Sequence, residues 1–461
     1  MFYTKSKYFS LNKNLNLAYM KKMINLIYRT LIKFFPISIY SIKHIIRWII
    51  WQEYRRYNSI ISPSSVFYLR HRGKVIIFLY PLLYLVKKYC QKNQMYISVN
   101  NIPFAVGHLY PEIDHLLRVL MSDKKYQKAI FLYVYPKNKM LYEASRIFKR
   151  KNFKIIQSGL LHMICYFAAI NFKEIRIDCS NSGHAHHKSS GLEEHRYLFE
   201  NKFSEFAKIY NATSKEYPLL KFGNENPIPG ELIDFIGSRK YVVIQIKDYA
   251  ANATWKAVDP STYEASIIRL KDMGYKVVFA GREKMPNNFK ILGVINYSES
   301  EFATALNDYF LVFNSDLVIA SASGFSLMGD LLDKPLLLLN IWQLSNCVGR
   351  RTVFLPTVIT KNNTKLKFKE QYKFFIDQNG VNSKGLSEEQ KYIYNAVDAS
   401  EEDIEFALLE LLNNVFDDTI LKRSTLQLDY NSLFPETWTS NGLSRISQKF
   451  LEKNIELMTN E

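Results

Sequence analysis

Leu311–Asn340 reads LVFNSDLVIASASGFSLMGDLLDKPLLLLN. The β-rich apolar residues Leu317–Ala320 run into a turn of small residues, Ser321-Ala322-Ser323-Gly324. A helix-like run follows, and Pro335–Asn340 reads as a second buried strand. Strand, turn, helix and strand in that order make a parallel βαβ unit. The turn falls at the carboxyl end of its strand, where open α/β sheets place their ligands. Ser and Gly there leave backbone N–H groups and hydroxyls at a helix N-terminus, a setting that suits an anionic group such as a diphosphate. A short βα connection without a ligand is the other reading, because turns of this length recur by chance.

The same alternation extends in both directions. Upstream, Tyr96–Val99, Ile130–Tyr135 and Phe153–Gln157 are expected strands, and Ile113–Met121 and Leu141–Arg150 expected helices. Asn224–Pro229 (NENPIP) is turn-rich and reads as a linker. After it come a strand at Tyr241–Ile246, a helix at Ser261–Met273 stopped by Gly274, and a strand at Lys276–Ala280 ending at Gly281. Ser400–Val415 opens with a Ser cap and three acids, as a helix N-terminus should. Such alternation predicts parallel sheets covered by helices. The expected architecture is α/β with two Rossmann-like domains and a cleft between them, over residues 93–225 and 226–420. A basic segment at 1–92 precedes them, and a tail at 421–461 could return to the first domain.

Composition narrows the setting. The chain has 461 residues, 48% hydrophobic and 23% charged, enough for two or three domains. Cys90, Cys165, Cys179 and Cys347 lie far apart without CxxC spacing, so they read as reduced thiols and exclude a disulfide frame or a Cys-based zinc site. The net charge of +18 is unevenly spread: residues 1–92 hold 17 Lys and Arg against one acid, Glu53. Ile37–Trp51 places Lys43 and Arg47 on one helical face and six isoleucines on the other. Val75–Val86 is an uncharged run of 12 residues flanked by Arg70, Arg72, Lys74, Lys87 and Lys88 and broken by Pro81. It is shorter than the roughly 20 residues that span a bilayer. An interfacial helix on an anionic membrane surface fits this mixture, and a buried element of the first domain is the alternative. Nucleic acid is not expected as a partner, since Gly-Arg repeats, an RNP-like strand and zinc-finger spacing are all missing from the sequence.

Several short motifs recur in a fixed order: Gly107-His108 with Pro111-Glu112, Val242–Asp248 (VVIQIKD), Gly274–Arg282 (GYKVVFAGR), Asp316–Gly324 (DLVIASASG), Lys334-Pro335, and Gly442–Ser447 (GLSRIS). In that order they resemble GT-B glycosyltransferases, the second half being similar to their nucleotide-binding half. More narrowly, the chain resembles a family of bacterial glycosyltransferases of surface-polysaccharide gene clusters (lipopolysaccharide, O-antigen, capsule). The resemblance spans roughly residues 95–450. It implies transfer of a sugar from a nucleotide-sugar donor to a lipid-linked or glycan acceptor, an inverting mechanism, and no metal or other cofactor; the basic apolar segment at 1–92 adds the expectation of a place on the cytoplasmic face of the inner membrane, peripheral or monotopic. One departure stands out. The family's first C-domain strand is expected to end in a His-x-Arg-Asp-like sequence, whereas here Gln245, Lys247 and Asp248 occupy those positions. Lysine keeps the charge and loses the bidentate fork of arginine.

Glycosyl transfer needs positive charge or helix N-termini at the departing diphosphate, and inversion needs a base at the acceptor. Lys247 and Arg282, each following an expected strand, are the candidate diphosphate cations. Ser321, Ser323 and Gly324 are the candidate hydroxyl and amide donors. An ion pair of Lys247 or Arg282 with Asp248 or Glu283 is the plain alternative. In the loop Gly107–Asp114 (GHLYPEID), Glu112 is the first candidate base, followed by His108 and Asp114. Gly107 would admit the acceptor closely, and acids beginning a helix are the alternative reading. No Asp-x-Asp occurs anywhere in the sequence, in keeping with the metal-free arrangement the resemblance implies. The histidines His184, His186, His187 and His195 lie in a Ser- and Gly-rich stretch that reads as a polar loop. Ser323 lacks the Gly-x-Ser-x-Gly of a hydrolase elbow, and the Gly-x-Gly-x-x-Gly of a nicotinamide enzyme is missing. A non-catalytic, membrane-bound sugar-binding adaptor and a nucleotide-sugar epimerase are the competing functions.

Overall fold

The computed structural model describes residues 80–99, 228–247, 258–341, 349–377, 388–415, 423–434 and 444–459, with two strands and single positions between 110 and 213. Helix α1 covers residues 80–92 and turns through Gln94, at φ 50°, into β1 (Met95–Val99). β1, β2 (Ile130–Tyr135) and β3 (Phe153–Gln157) form a parallel sheet in that order, with Met95 opposite Ile130 and Phe131 opposite Phe153. All three strands fall where the sequence places them. The expected features of residues 1–79 lie outside the described residues, as does the expected helix at Leu141–Arg150.

The second unit opens with α2 (Gly230–Ile236), which begins directly after Pro229 and ends on Gly237 at φ 68°, a left-handed position that glycine adopts without a Cβ clash. β4 (Tyr241–Gln245) follows. Then come a 3₁₀ turn (Pro260–Tyr263) capped by Asp259 and α3 (Glu264–Asp272), and Gly274 at φ 82° stops the helix as expected. β5 (Lys276–Phe279), α4 (Asn287–Ile291), β6 (Ile295–Asn296) and α5 (Ala305–Asn314) lead to the βαβ unit itself: β7 (Leu317–Ser321), α6 (Gly324–Leu331) and β8 (Leu336–Ile341). β9 (Thr352–Pro356) continues the sheet. β10 (Val358–Lys361), β11 (Thr364–Lys365) and β12 (Tyr394–Val397) form a small antiparallel sheet, with α7 (Phe368–Asp377) and α8 (Glu388–Ile393) between β11 and β12. The chain closes with α9 (Glu401–Val415), α10 (Thr425–Ser432), β13 (Arg445–Ile446) and α11 (Gln448–Lys453).

The large sheet is parallel throughout, with strand order β13-β9-β8-β7-β4-β5-β6. Setting β13 aside and numbering from β4 as the first strand, β6 to β9 read 3-2-1-4-5-6, the doubly wound Rossmann order. Every residue of β4, β7, β8 and β9 is buried, because helices cover both faces of the sheet. That double cover is why Leu317–Ala320 and Leu336–Leu339 are continuous apolar runs with no alternation. α9 packs on β8, β9 and α3 on one face, and α6 packs on β7 and β8. Ser400 caps α9: its hydroxyl accepts from Asp403 N–H, and the Asp403 carboxylate accepts from Ser400 N–H, each at 3.2 Å.

The described part of the tail packs on the second unit. β13 pairs with the otherwise open edge of β9, Arg445 opposite Val353, and Ser447 N–H donates to Phe354 O at 3.0 Å. Tyr430 and Phe434 are buried against Phe354, Phe368 and Tyr372. Covering an exposed strand edge and burying these rings gives the tail its place. The first unit instead meets the second at α5. Tyr110 is fully buried, donates its hydroxyl to Ala305 O at 2.8 Å and stacks on Tyr309 with ring centroids 6.1 Å apart. No described helix is long and apolar enough to cross a membrane.

Candidate functional site

In a 3-2-1-4-5-6 sheet the crevice opens between strands 1 and 4, here β4 and β7. Three segments leave the sheet at that edge: Gln245–Lys247 after β4, Ala280–Glu283 after β5, and Ser321–Gly324 after β7. Register places Gln245 beside Ala320 and Ile244 beside Phe279, so the three tips sit side by side.

A chain of contacts joins them. Ser323 is the N-cap of α6. Its hydroxyl accepts from Ser326 N–H, and the Ser326 hydroxyl accepts from Ser323 N–H, completing a capping box. The Ser323 hydroxyl proton goes to Gln245 Oε1 at 2.6 Å, across the switch point. Gln245 is itself buried and donates through Nε2 to Ile246 O at 2.6 Å. Beside it Gly281 sits at φ 113°, and a Cβ there would lie 3.1 Å from both Gln245 Cγ and Glu283 Oε2. The backbone angle therefore calls for glycine, and a side chain would also crowd Gln245 and Glu283. Glu283 accepts from Lys247 Nζ at 2.7 Å and, through its other oxygen, from Arg282 N–H at 3.1 Å. Lys247, Glu283 and the Arg282 amide thus form one linked group, Gln245 and Ser323 another, and Gly281 lies beside both.

The arrangement differs in detail from the sequence expectation. Ser321 is fully buried and its hydroxyl has no hydrogen-bond partner among the described residues, so it does not face the crevice. The Ser323 hydroxyl is committed to its cap and to Gln245. Lys247 is ion-paired with Glu283, the alternative the sequence left open, with its side chain about a third exposed. Gly324 is the first residue of α6 and is partly exposed.

Of the acceptor-side candidates, Gly107 and the bases His108 and Glu112 lie outside the described residues, as do the four loop histidines. Asp114 is described and is corrected. It is fully buried and ion-paired to Arg118 Nε at 2.6 Å, one helical turn on. Arg118 in turn donates to Thr213 O at 2.8 Å and Thr213 Oγ1 at 3.0 Å. Burial pushes the Asp114 carboxyl up against the opposing pull of Arg118. A carboxylate enclosed in this way ties the helix to residue 213, and an acceptor cannot reach it.

Sequence reasoning missed Asp308, on α5. The residue is half-buried, its carboxyl beside the inter-unit contact made by Tyr110 and near enough to Arg282 for that charge to act on it. Burial pushes it up to about 7, opposed by a hydrogen bond from the Tyr297 hydroxyl at 2.9 Å and by Arg282. Among the described residues no group of three His, Cys, Asp or Glu could hold a metal ion.

No protein-family model matches this sequence, and no curated protein sequence matches it. Among solved structures the chain is similar to the E. coli heptosyltransferase WaaC bound to ADP-2-deoxy-2-fluoro heptose, at 10% identity and TM-score 0.35 over 57% of this chain and 92% of that one. It is also similar to a glycosyl transferase family 9 protein from Veillonella parvula (12%, 0.38, over 69% and 97%). A UDP-N-acetylglucosamine 2-epimerase structure from Listeria monocytogenes gives 11% and 0.29 over 53% and 78%. Likeness at this level fixes neither activity nor substrate.

Proposed function

We propose that this protein is a GT-B-type glycosyltransferase of bacterial surface-glycan synthesis. Its second unit would bind the nucleotide-sugar donor, and its first unit would present a lipid-linked or glycan acceptor. The observation that carries the reading is the meeting of Gln245, Lys247, Gly281, Arg282, Glu283 and the α6 N-terminus at the switch point of a doubly wound sheet. Open α/β sheets bind nucleotides at that place. Arg282, Lys247 and the first amides of α6 supply positive potential where a departing diphosphate builds negative charge, and preorganised donors of this kind lower the barrier most. In this reading the charge is met by side chains and amides, transfer needs no divalent metal, and the outcome is inversion. The base comes from the loop containing His108 and Glu112, with Glu112 first. Gly107 lets the acceptor approach.

A second reading, a sugar-binding adaptor without catalysis, gains from one observation. Lys247 and Ser323 are already satisfied by Glu283 and Gln245, so the crevice is stable without an anion. One experiment separates the two. Purified protein is screened against nucleoside diphosphates and nucleotide sugars by thermal shift, which registers ligands that bind the folded state. Samples that respond are then assayed for nucleotide release with glycan acceptors in excess EDTA. The transferase reading expects a raised midpoint that Arg282→Ala and Lys247→Ala reduce, and acceptor-dependent release. Binding without release under any acceptor would favour the adaptor. Inversion at one sugar carbon without an acceptor, with the nucleotide still attached in the product, would indicate an epimerase.

A further inference from the structure

We propose that the outward face of α1 is a docking surface for an anionic lipid bilayer. At 100° per residue, positions 80, 91, 84, 88, 81, 92, 85 and 89 sweep in turn across half of the helix circumference. All eight are exposed. The other half, positions 82, 83, 86, 87 and 90, is buried or half-buried. The inward half packs within the protein, and on the outward half Tyr80 also meets the Phe172 ring, with centroids 5.9 Å apart. Leu83 and Cys90 are buried, and Lys87 pairs with Glu174 at 2.6 Å and lies 4.8 Å above the Phe172 ring. The outward half inverts the usual composition of a helix facing water. It carries Tyr80, Tyr84, Leu85 and Tyr89 at 49%, 41%, 40% and 48% exposure, together with Lys88, Lys92, Gln91 and Pro81.

Charge selects the occupant. The outward face has two lysines and no acid, and residues 1–79, which lead directly into it, hold 14 Lys and Arg against one acid. A bilayer rich in anionic lipid complements that balance. Tyrosine suits the headgroup level, with its ring in the apolar boundary and its hydroxyl in water. Lysines beside it reach outward to phosphates along their apolar stems. Lys88 already lies 5.5 Å from the Tyr84 ring, so the cation and the aromatic ring form one unit. The helix would lie along the membrane and hold the first unit against it, independently of what the crevice binds.

The test uses the full chain and vesicles of phosphatidylcholine with and without about 30% phosphatidylglycerol. The triple variant Tyr84→Ser, Leu85→Ser, Tyr89→Ser should partition on the order of tenfold more weakly into anionic vesicles. Lys88→Glu with Lys92→Glu should lose on the order of tenfold on anionic vesicles and nothing on neutral ones. Both variants should keep the thermal midpoint, since the altered side chains are exposed. An environment-sensitive dye on Tyr84→Cys should shift blue when vesicles are added, whereas one on Ile291→Cys, 85% exposed on α4, should not. The Cys variants are made with Cys179 and Cys347 replaced by Ser. Unchanged partition of both multiple variants overturns the proposal. So does an unshifted dye at position 84 on vesicle-bound protein. Loss of a dimer in the triple variant with vesicle binding intact would assign the face to a second copy.

Discussion

Asp308→Asn should make the protein more stable at alkaline pH and leave it nearly unchanged in acid. Enclosure raises the carboxyl from 3.8 to about 7 in the folded chain. In the unfolded chain it titrates near the ordinary value. Between those limits the native state holds a proton that the unfolded state has released, so stability falls as pH rises. The contribution is intact below about pH 4, declines through the window and is fully lost above about pH 7. At about 1.36 kcal/mol for each pH unit between the two values, the ionised carboxylate costs at most about 4 kcal/mol, less where water reaches the half-buried residue.

Asparagine suits the site for a geometric reason. The Tyr297 hydroxyl lies 2.9 Å from Asp308 Oδ1 and 3.1 Å from Phe302 O, yet it has one proton to give. A protonated Asp308 donates to the tyrosine oxygen and leaves that proton for Phe302 O. The side-chain amide of the Asp308→Asn variant donates in the same way without a charge to bury. Urea unfolding of both proteins at about pH 5, 7 and 9 measures the effect. The variant should gain a few kcal/mol at the highest pH, with the difference closing toward the lowest. Equal stability at all three values, or a constant loss, would refute an enclosed titrating carboxyl. The same group couples to Arg282, the charge that opposes its rise. A nucleoside diphosphate that neutralises Arg282 should therefore drive proton uptake near pH 7, visible as a buffer-dependent binding enthalpy.

Three further outcomes follow from the same geometry. Ser323→Ala removes the α6 cap and the bond to Gln245 and should cost about 1–2 kcal/mol in denaturant unfolding while weakening nucleotide binding. Gly349→Ala should prevent stable folding or lower the thermal midpoint severely, because a Cβ there would collide with Asp330 Oδ1, on a carboxyl that is buried and bonded to Thr352. Glu283→Gln removes the acid paired with Lys247 and should tighten nucleoside diphosphate binding severalfold at low ionic strength, an effect that added salt erases.

The sequence disclosed what local pattern controls. β2 and β3 begin and end where their β-branched and aromatic runs do, and Gly274 and the Ser400 cap mark helix ends by chemistry visible within four residues. α5 was not legible. Tyr309, Phe310, Leu311 and Val312 are consecutive and all buried, so the apolar run itself shows no 3.6-residue period. β6 and β13 are two residues long, below what alternation can show. The crevice was half legible. The strand tips bearing Lys247, Arg282 and Ser323 follow from the βα order. That Ser323 bonds to a residue 78 positions away, and Lys247 to one 36 away, depends on strand order, which no local pattern carries. Asp308 is more remote still, since the contact that encloses it runs from Tyr110 to Ala305, 195 residues apart.

The Lys247–Glu283 pair also explains how lysine can serve where the family resemblance leads one to expect arginine. A guanidinium spends its fork on a single planar partner. An ammonium has three donors and rotates freely, so Lys247 can keep Glu283 on one N–H and offer the others to a phosphate. Glu283 is held from two sides, by Lys247 Nζ and by the Arg282 amide, and it fixes the lysine's position before any ligand arrives. The crevice then carries Lys247, Arg282 and Glu283 for a net charge of one, less than a diphosphate brings. The remaining attraction must come from the backbone N–H groups that begin α6. The Ser323 cap uses Ser326 N–H, while Gly324 stands partly exposed at the first turn without a side chain to block approach. A ligand held by oriented amides more than by side-chain cations should bind with a shallow dependence on salt, which distinguishes this crevice from a simple basic patch.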